Sequence, residues 1–164
     1  MGCVCGIFQS ETYTLIDGIF YDDGVTSPKP VNWYKATNTL EVSIDNTGTL
    51  LSCTEATNYY ANSTSSINRF IESDFCIEFD VVEFTGQFGV RIRTTSNTDI
   101  NLGNVASAGS HILIQFKDNV LTYTIDDGTP QVVSQSITGN IGVSIRLGTG
   151  TNSIRYKNFV VYPV

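Results

Sequence analysis

Three acidic residues lie close together in the segment EFDVVE, residues 78–83, with the spacing E-x-D-x-x-E. Paired carboxyl groups are the groups with which many enzymes cleave glycosidic bonds, one acting as nucleophile or base and the other as acid. In a retaining enzyme the two groups lie about 5 to 5.5 Å apart, on either side of the sugar. Glu78, Asp80 and Glu83 are therefore the first candidates for chemistry in this chain.

The apolar residues around these acids indicate a strand that contains a β-bulge. Apolar residues alternate over 75–81, and the alternation then shifts by one residue at Val82. Such a shift is typical of a bulge, in which one extra residue is inserted into a strand. The bulge would return Glu83 to the face that carries Glu78 and Asp80, as a mechanism with two carboxylates requires.

A second interpretation gives the same acids a structural role. The short segment 85–87 predicts a hairpin in which the strand over 88–94 pairs with the acidic strand. In that register Asp80 faces Arg91 and Glu78 faces Arg93, which is an ordinary cross-strand charge ladder. Arginine partners keep a carboxylate charged, whereas an acid catalyst must carry a proton. On this interpretation we expect no catalytic residue and no enzyme activity.

Composition limits the class of protein. The chain has 164 residues, 41% hydrophobic and 15% charged, which suits one domain with a single core. The formal net charge is −7 and the basic residues are scattered, so we expect no nucleic-acid partner. No apolar run approaches the roughly 18 residues of a membrane span, and the N-terminus lacks the features of a cleavable signal peptide. We therefore expect no membrane partner.

Short β-branched and aromatic runs between turn residues predict an all-β protein, either a sandwich or a barrel. The predicted strands are 13–21, 31–35, 39–44, 48–53, 75–84, 88–94, 111–117, 120–125, 131–134, 140–146 and 153–162. The polar segments 55–68 and 96–110 are predicted to be variable loops. The expected organisation is an N-terminal arm over 1–12 followed by one sandwich domain over 13–164.

Three stretches resemble the concanavalin A-like lectin and glucanase superfamily, including its laminin G-like jelly rolls. They are FCIEFDVVEFTGQFGVRIRT (75–94), HILIQFKDNVLTYTIDDGTPQ (111–131) and IGVSIRLGTGTNSIRYKNFVVYPV (141–164). The resemblance implies a jelly-roll sandwich of two curved antiparallel sheets that uses its concave face or edge loops for glycans, proteins or calcium. Family sixteen glycoside hydrolases share this fold. Their bulged motif implies a nucleophile at Glu78, an assisting Asp80 and an acid/base at Glu83.

Exposed aromatic rings are a second kind of candidate. Trp33, with Tyr59 and Tyr60 in the segment 55–68, could stack on sugar rings, because flat aromatic faces cover the C–H face of a sugar. Alternatively, Trp33 belongs to the core and the tyrosines cover its edge. The acidic pairs at 22–23 and 126–127 could bind calcium, but Asx turns explain them equally well. We expect no metal site and no cofactor.

The N-terminus MGCVCG resembles an acylation signal, but Gly6 stands where serine or threonine is expected. We interpret Cys3, Cys5 and Phe8 as part of an arm that docks into a neighbouring subunit, and so expect a homo-oligomer. Whether Cys53 and Cys76 are free or paired stays open.

The expected function is a non-catalytic binding or attachment module on a virus particle, because a jelly roll without a signal peptide resembles the decoration, fibre or baseplate proteins of tailed viruses. The expected location is the virion or extracellular surface, with other virion or surface proteins and a glycan as partners. The alternatives are a free or cell-surface lectin and a glycoside hydrolase that uses the three acids of 78–83.

Overall fold

The computed structural model describes residues 20–27, 33–61, 74–93, 97–134, 137 and 142–164. Within these residues the chain forms thirteen β-strands and no helix. The strands are β1 (Phe20–Asp22), β2 (Trp33–Lys35), β3 (Glu41–Asp45), β4 (Gly48–Cys53), β5 (Thr57–Ala61), β6 (Phe75–Thr85), β7 (Phe88–Arg93), β8 (Asn97–Asn101), β9 (His111–Lys117), β10 (Val120–Ile125), β11 (Gln131–Val133), β12 (Gly142–Leu147) and β13 (Asn152–Pro163). None of the described residues belongs to a helix long and apolar enough to cross a membrane.

The strands form two antiparallel sheets that pack face to face. The larger sheet has the order β11-β10-β9-β6-β13-β4-β3, with β1 also paired to β13. The smaller sheet has the order β2-β5-β12-β7-β8. The predicted all-β sandwich of two antiparallel sheets is confirmed.

The core lies between the sheets, because alternate side chains of each strand point inward. Aromatic rings from both sheets meet there. The Trp33 ring lies 5.0 Å from that of Phe159 and 5.3 Å from that of Phe20, both edge to face. Contacts of this geometry contribute about 0.5–1.5 kcal/mol each beyond the burial of apolar area. The aromatic cluster therefore joins the smaller sheet, through β2, to β1 and β13 of the larger sheet.

The predicted hairpin between β6 and β7 is wrong. Strand β6 pairs with β13 along one edge and, over residues 75–80, with β9 along the other, whereas β7 pairs with β12 and β8 in the smaller sheet. The chain crosses to the smaller sheet at Gly86, whose φ of 72° suits glycine. Asn152 fixes the crossing, since its Oδ1 accepts a hydrogen bond from the Gln87 backbone N–H at 2.5 Å and its Nδ2 donates to the Gly148 carbonyl at 3.0 Å.

The predicted charge ladder is wrong for the same reason, because the acids of β6 and the arginines of β7 lie in different sheets. Arg91 pairs instead with Asp99 on β8. Arg93 donates a hydrogen bond to the Tyr60 hydroxyl at 3.1 Å.

The predicted bulge in β6 is present. Opposite β13, Arg155 pairs with Glu83 and the next residue, Tyr156, pairs with Val81, which leaves Val82 as the extra residue. A second irregularity lies on β13 at Asn158, which has a φ of 51°. Both interruptions lie beside the acids of β6.

Two predicted loops contain strands. The segment 55–68 includes β5, and the segment 96–110 includes β8, the edge strand of the smaller sheet. Their Asn and Thr residues suggested loops, but β5 and β8 are strands with polar outward positions. The N-terminal arm, with Cys3, Cys5 and Phe8, and the predicted domain start at residue 13 lie outside the described residues. Cys53 and Cys76 are free and buried.

A buried carboxylate fastens the two sheets together at one end. Asp22 is fully buried. Its Oδ2 accepts hydrogen bonds from Trp33 Nε1 at 2.7 Å and from the Tyr156 hydroxyl at 2.9 Å, and its Oδ1 accepts one from the Gly24 N–H at 2.9 Å. A buried charge is tolerated only with such partners. Asp22 therefore connects β1 and β13 of the larger sheet with β2 of the smaller one.

We expect the substitution Asp22→Asn to destabilise the fold by about 2 kcal/mol. An amide has one acceptor oxygen, so its NH₂ group would face at least one of the N–H and O–H groups that donate to Asp22. Urea unfolding at neutral pH measures this loss. Asp23→Asn is the matched control. Asp23 Oδ1 accepts hydrogen bonds from the backbone N–H groups of Val25 and Thr26, and the amide oxygen of an asparagine can accept the same two bonds. Equal losses in both variants would contradict the role of Asp22.

Candidate functional site

The outer face of the larger sheet carries all three acids of the E-x-D-x-x-E segment. Glu78 and Asp80 point outward on β6, and the bulge at Val82 returns Glu83 to the same face, where it lies opposite the outward residue Arg155. The exposed fractions of the three side chains are 27%, 39% and 60%, so each carboxylate can be reached from solvent. We call Glu78, Asp80 and Glu83 the acidic strip.

Neighbouring strands hold the first two acids in place. His111, which begins β9, lies opposite Asp80, and its Nδ1 is 2.8 Å from Asp80 Oδ1. Its Nε2 is 3.6 Å from Glu78 Oε2. From β13, the Tyr162 hydroxyl donates to Glu78 Oε1, and Asn158 Nδ2 donates to Asp80 Oδ2 at 2.6 Å. The hydrogen bond to Glu78 raises the pKa of Tyr162, as does partial burial, so the phenol remains a donor at neutral pH.

The histidine is itself fixed by a turn residue. Asp126, which follows β10, accepts hydrogen bonds from the His111 backbone N–H at 2.7 Å and from the Ser110 hydroxyl at 2.9 Å. Asp126, the first residue of the acidic pair at 126–127, thus positions the start of β9. Among the described residues, no group of three or more His, Cys, Asp or Glu side chains is arranged to hold a metal ion.

Arg155 holds the third acid. Its Nε donates to Glu83 Oε1 at 2.8 Å, and its Nη1 lies 3.0 Å from Asp45 Oδ2 on β3. The hydrogen bond to Glu83 raises the pKa of Arg155, so the guanidinium stays charged. Glu83 is therefore held beside a positive charge, whereas Glu78 and Asp80 are held by a histidine and two neutral donors.

A groove of about 720 Å³ lies where β4 and β6 end and β3 and β13 begin, and Glu83 is part of its wall. This volume is within the range of small-molecule sites. Apolar atoms make up more of the groove wall than polar atoms do, although most of the other lining residues carry a hydroxyl or another polar group: Thr39, Glu41, Leu50, Ser52, Cys53, Thr54, Phe84, Thr85, Thr151, Asn152 and Ser153. Hydroxyl and carboxylate groups of this kind hydrogen-bond to polyols.

An exposed aromatic ring lies beside the acidic strip. Tyr21 on β1 is 49% exposed and pairs with Val160 of β13. Its hydroxyl is 3.5 Å from the Asn158 side chain that also binds Asp80. Sequence reasoning missed Tyr21, Asn158 and Tyr162. The alternation of apolar and polar residues in the first and last strands could have identified Tyr21 and Tyr162 as outward residues.

The three aromatic residues predicted to stack on glycans lie elsewhere, and that prediction is wrong. The Trp33 ring is stacked on that of Tyr59 at 4.6 Å and packs against the core. Tyr59 and Tyr60 are 5% and 7% exposed, because both belong to β5 instead of a loop. The Arg93 guanidinium covers the Tyr60 ring at 5.4 Å from its centroid. The alternative placement, with Trp33 in the core, is the one observed.

Neither a protein-family model nor a curated protein matches this sequence. Solved structures do share its fold. The chain is similar to the Crh5 transglycosylase in complex with NAG, with a TM-score of 0.63 and 8% identity, over 90% of this chain and 84% of that one. A sialidase gives a TM-score of 0.59 and 10% identity over 81% of this chain and 17% of the sialidase.

The carbohydrate-binding module CBM66 from Bacillus subtilis is also similar. The TM-score is 0.50 with 10% identity, over 80% of this chain and 96% of the module. At these identities the likeness shows the fold alone. The fold is thus a β-sandwich of two antiparallel sheets, shared by a transglycosylase and a carbohydrate-binding module.

The expectation that the chain is not an enzyme is contradicted. It depended on pairing the acids of β6 with Arg91 and Arg93, and those pairs do not form. A transglycosylase, moreover, is among the solved structures with this fold. The predicted location on a virus particle, the virion partners and the homo-oligomeric state stay predictions.

The buried position of Tyr59 predicts a loss of stability at high pH. Burial raises the pKa of the Tyr59 phenol, and the charge of Asp22 adds to the effect. In the unfolded chain a tyrosine ionises near its ordinary pKa of about 10. Stabilisation by the neutral phenol is therefore complete below about pH 10 and is lost above it, by at most about 1.4 kcal/mol per pH unit.

We expect Tyr59→Phe to keep the stacking on Trp33 and to lose less stability than the wild type between about pH 10 and pH 11. Urea midpoints across this range measure the difference, with the pH 7 midpoints of both proteins as the reference. Parallel curves for the two proteins would show that Tyr59 ionises equally in the folded and unfolded states.

Proposed function

We propose that the outer face of the larger sheet binds a carbohydrate, with the acidic strip as its polar contacts. The observation that carries this proposal is the bulge at Val82. It places Glu78, Asp80 and Glu83 on one solvent-facing surface, and Glu83 also lines the 720 Å³ groove.

The chemistry of this surface suits a polyol. Carboxylate oxygens accept hydrogen bonds from sugar hydroxyls, and hydrogen bonds to charged groups contribute about 1.5–3 kcal/mol each. The exposed ring of Tyr21 offers a flat apolar face for the C–H face of a sugar. The acids are already held by Tyr162, His111 and Arg155, so little side-chain ordering remains to be done on binding.

The solved structures support the proposal through the fold. CBM66 is described as a carbohydrate-binding module, and the Crh5 transglycosylase was solved with NAG. At 8–10% identity this support concerns the scaffold, and the argument for a site in this chain comes from the acidic strip.

A second candidate function is glycosyl transfer or hydrolysis by the same acids, favoured by the alignment of E-x-D-x-x-E on one face. Glu78, held by the Tyr162 hydroxyl, would attack the anomeric carbon while Glu83 protonates the departing oxygen. Glu83 would then deprotonate water or a second sugar hydroxyl, which displaces Glu78 from the sugar. For this role Glu83 must leave Arg155 and carry a proton.

Binding is tested by calorimetric titration of the full chain with neutral oligosaccharides: cellotetraose, laminaritetraose and chitotetraose. We expect saturable binding of at least one of them. Glu78→Gln and Tyr21→Ala should each weaken it about tenfold, through the loss of about 1.4 kcal/mol. Asp118→Asn is the matched control, because it removes one negative charge from an exposed turn after β9.

Absence of binding to all three oligosaccharides, or equal binding by the wild type and both site variants, would refute the proposal. Mass spectrometry of the same mixtures tests the second candidate. Shorter or longer sugars that disappear with Glu83→Gln would support transfer or hydrolysis. A ligand that binds and is recovered unchanged would leave the binding proposal standing and exclude turnover of that sugar.

A further inference from the structure

The outer face of the smaller sheet concentrates positive charge in an acidic protein. Arg91 and Arg93 of β7 and Arg146 of β12 occupy outward positions, and the strands of this sheet contain one acidic residue, Asp99 on β8. Three of the nine lysine and arginine residues of a chain with net charge −7 thus lie on one surface.

The single acid in the strands of this sheet, Asp99, binds Arg91 more closely than it binds Arg146. Arg91 Nε donates to Asp99 Oδ1 at 2.6 Å and its Nη2 donates to Oδ2 at 2.8 Å, which is the fork geometry of a strong pair. The hydrogen bond from Arg91 lowers the pKa of Asp99, which confirms that the carboxylate is charged at neutral pH. Arg146 Nη1 is farther away, 3.4 Å from Asp99 Oδ2, so two guanidinium groups share one carboxylate.

Arg146 also forms one wall of a small pocket. Arg146, Gly89 and Asn101 are register partners across β12, β7 and β8. Gly89 has no side chain, and above it Arg146 Nη1 donates a hydrogen bond to Asn101 Oδ1 at 3.4 Å. A Cβ atom at Gly89 would collide with the Ile100 carbonyl oxygen, so the pairing of β7 with β8 requires glycine at this position.

The pocket has a volume of about 170 Å³. Its lining combines one guanidinium with three amide side chains: Arg146, Gln87, Asn101 and Asn104, together with Phe88 and Gly103. A guanidinium matches a carboxylate in shape and charge, and amides both donate to and accept from hydroxyl groups. The volume is below the usual range of small-molecule sites, so the pocket would enclose only part of one sugar unit.

We propose that this pocket binds an acidic sugar, with Arg146 on the carboxylate and the amides on the ring hydroxyls. The site lies on the opposite sheet from the acidic strip, whose negative charge disfavours such a ligand. It is therefore separate from the proposed site for neutral sugars, and either can fail without the other.

The test is a titration of the ¹⁵N-labelled full chain with methyl β-D-glucuronoside, followed by amide and side-chain NMR signals. We expect saturable shifts centred on Asn101, Asn104 and Gln87. Methyl β-D-glucoside, which lacks the carboxylate, and acetate, which lacks the hydroxyls, should each bind at least fivefold more weakly. Added salt should weaken glucuronoside binding, because the contact is between charges.

Variants locate the contact. Arg146→Gln should weaken glucuronoside binding at least tenfold, and Arg146→Lys should weaken it less, because the charge remains and the fork is lost. Asn104→Asp places a carboxylate at an exposed position of the pocket and should also abolish binding without affecting the fold. Lys117→Gln is the matched control, since it removes an exposed positive charge on the larger sheet.

Three results would each overturn the proposal. The first is unchanged binding by Arg146→Gln and Asn104→Asp. The second is equal binding of the glucoside or acetate, and the third is an absence of saturable shifts or their location on β6 and β13.

Discussion

Pairing of β6 on both edges is the constraint on which the site depends. The register with β13 decides which face each acid of β6 occupies. Without the extra residue at Val82, Glu83 would point inward, toward the buried side chains of Val81 and Tyr156, where an unpaired carboxylate costs several kcal/mol. The bulge therefore allows Phe84 to pack on the core while Glu83 stays in solvent.

The same double pairing separates the charges of the molecule. The part of β6 over residues 75–80 is paired on both edges, and the chain crosses at Gly86 to the other sheet, where β7 pairs with β12 and β8. The arginines of β7 therefore lie on the opposite outer surface from the acids of β6. In their place the acids have partners from strands that are distant in sequence, namely His111, Asn158 and Tyr162.

The sequence predicts part of this arrangement well. Apolar alternation reports which face a residue occupies, so the sandwich, the outward acids and the bulge at Val82 could all be inferred from it. Alternation does not report which strand lies alongside, and this is why the partner of β6 was predicted wrongly. Tyr59 and Tyr60 were assigned to a loop for another reason. Every residue of β5 is at least partly buried, so its sequence, TNYYA, does not alternate between apolar and polar residues as that of a half-exposed strand does. The Tyr21 and Tyr162 positions come together only in the folded sheet.

Among the described residues, the acids of β6 and the arginines of β7 and β12 lie on opposite outer faces, and this separation contributes an electric dipole along the normal to the sheets. Near a negatively charged polymer or surface, such a dipole turns the smaller sheet toward the surface and leaves the larger sheet facing outward. At physiological ionic strength this torque acts over about 8 Å, the screening length, so it selects an orientation at the moment of contact. The crossing at Gly86, which places the acids of β6 and the arginines of β7 on opposite faces, thus decides which sheet such a surface would attract.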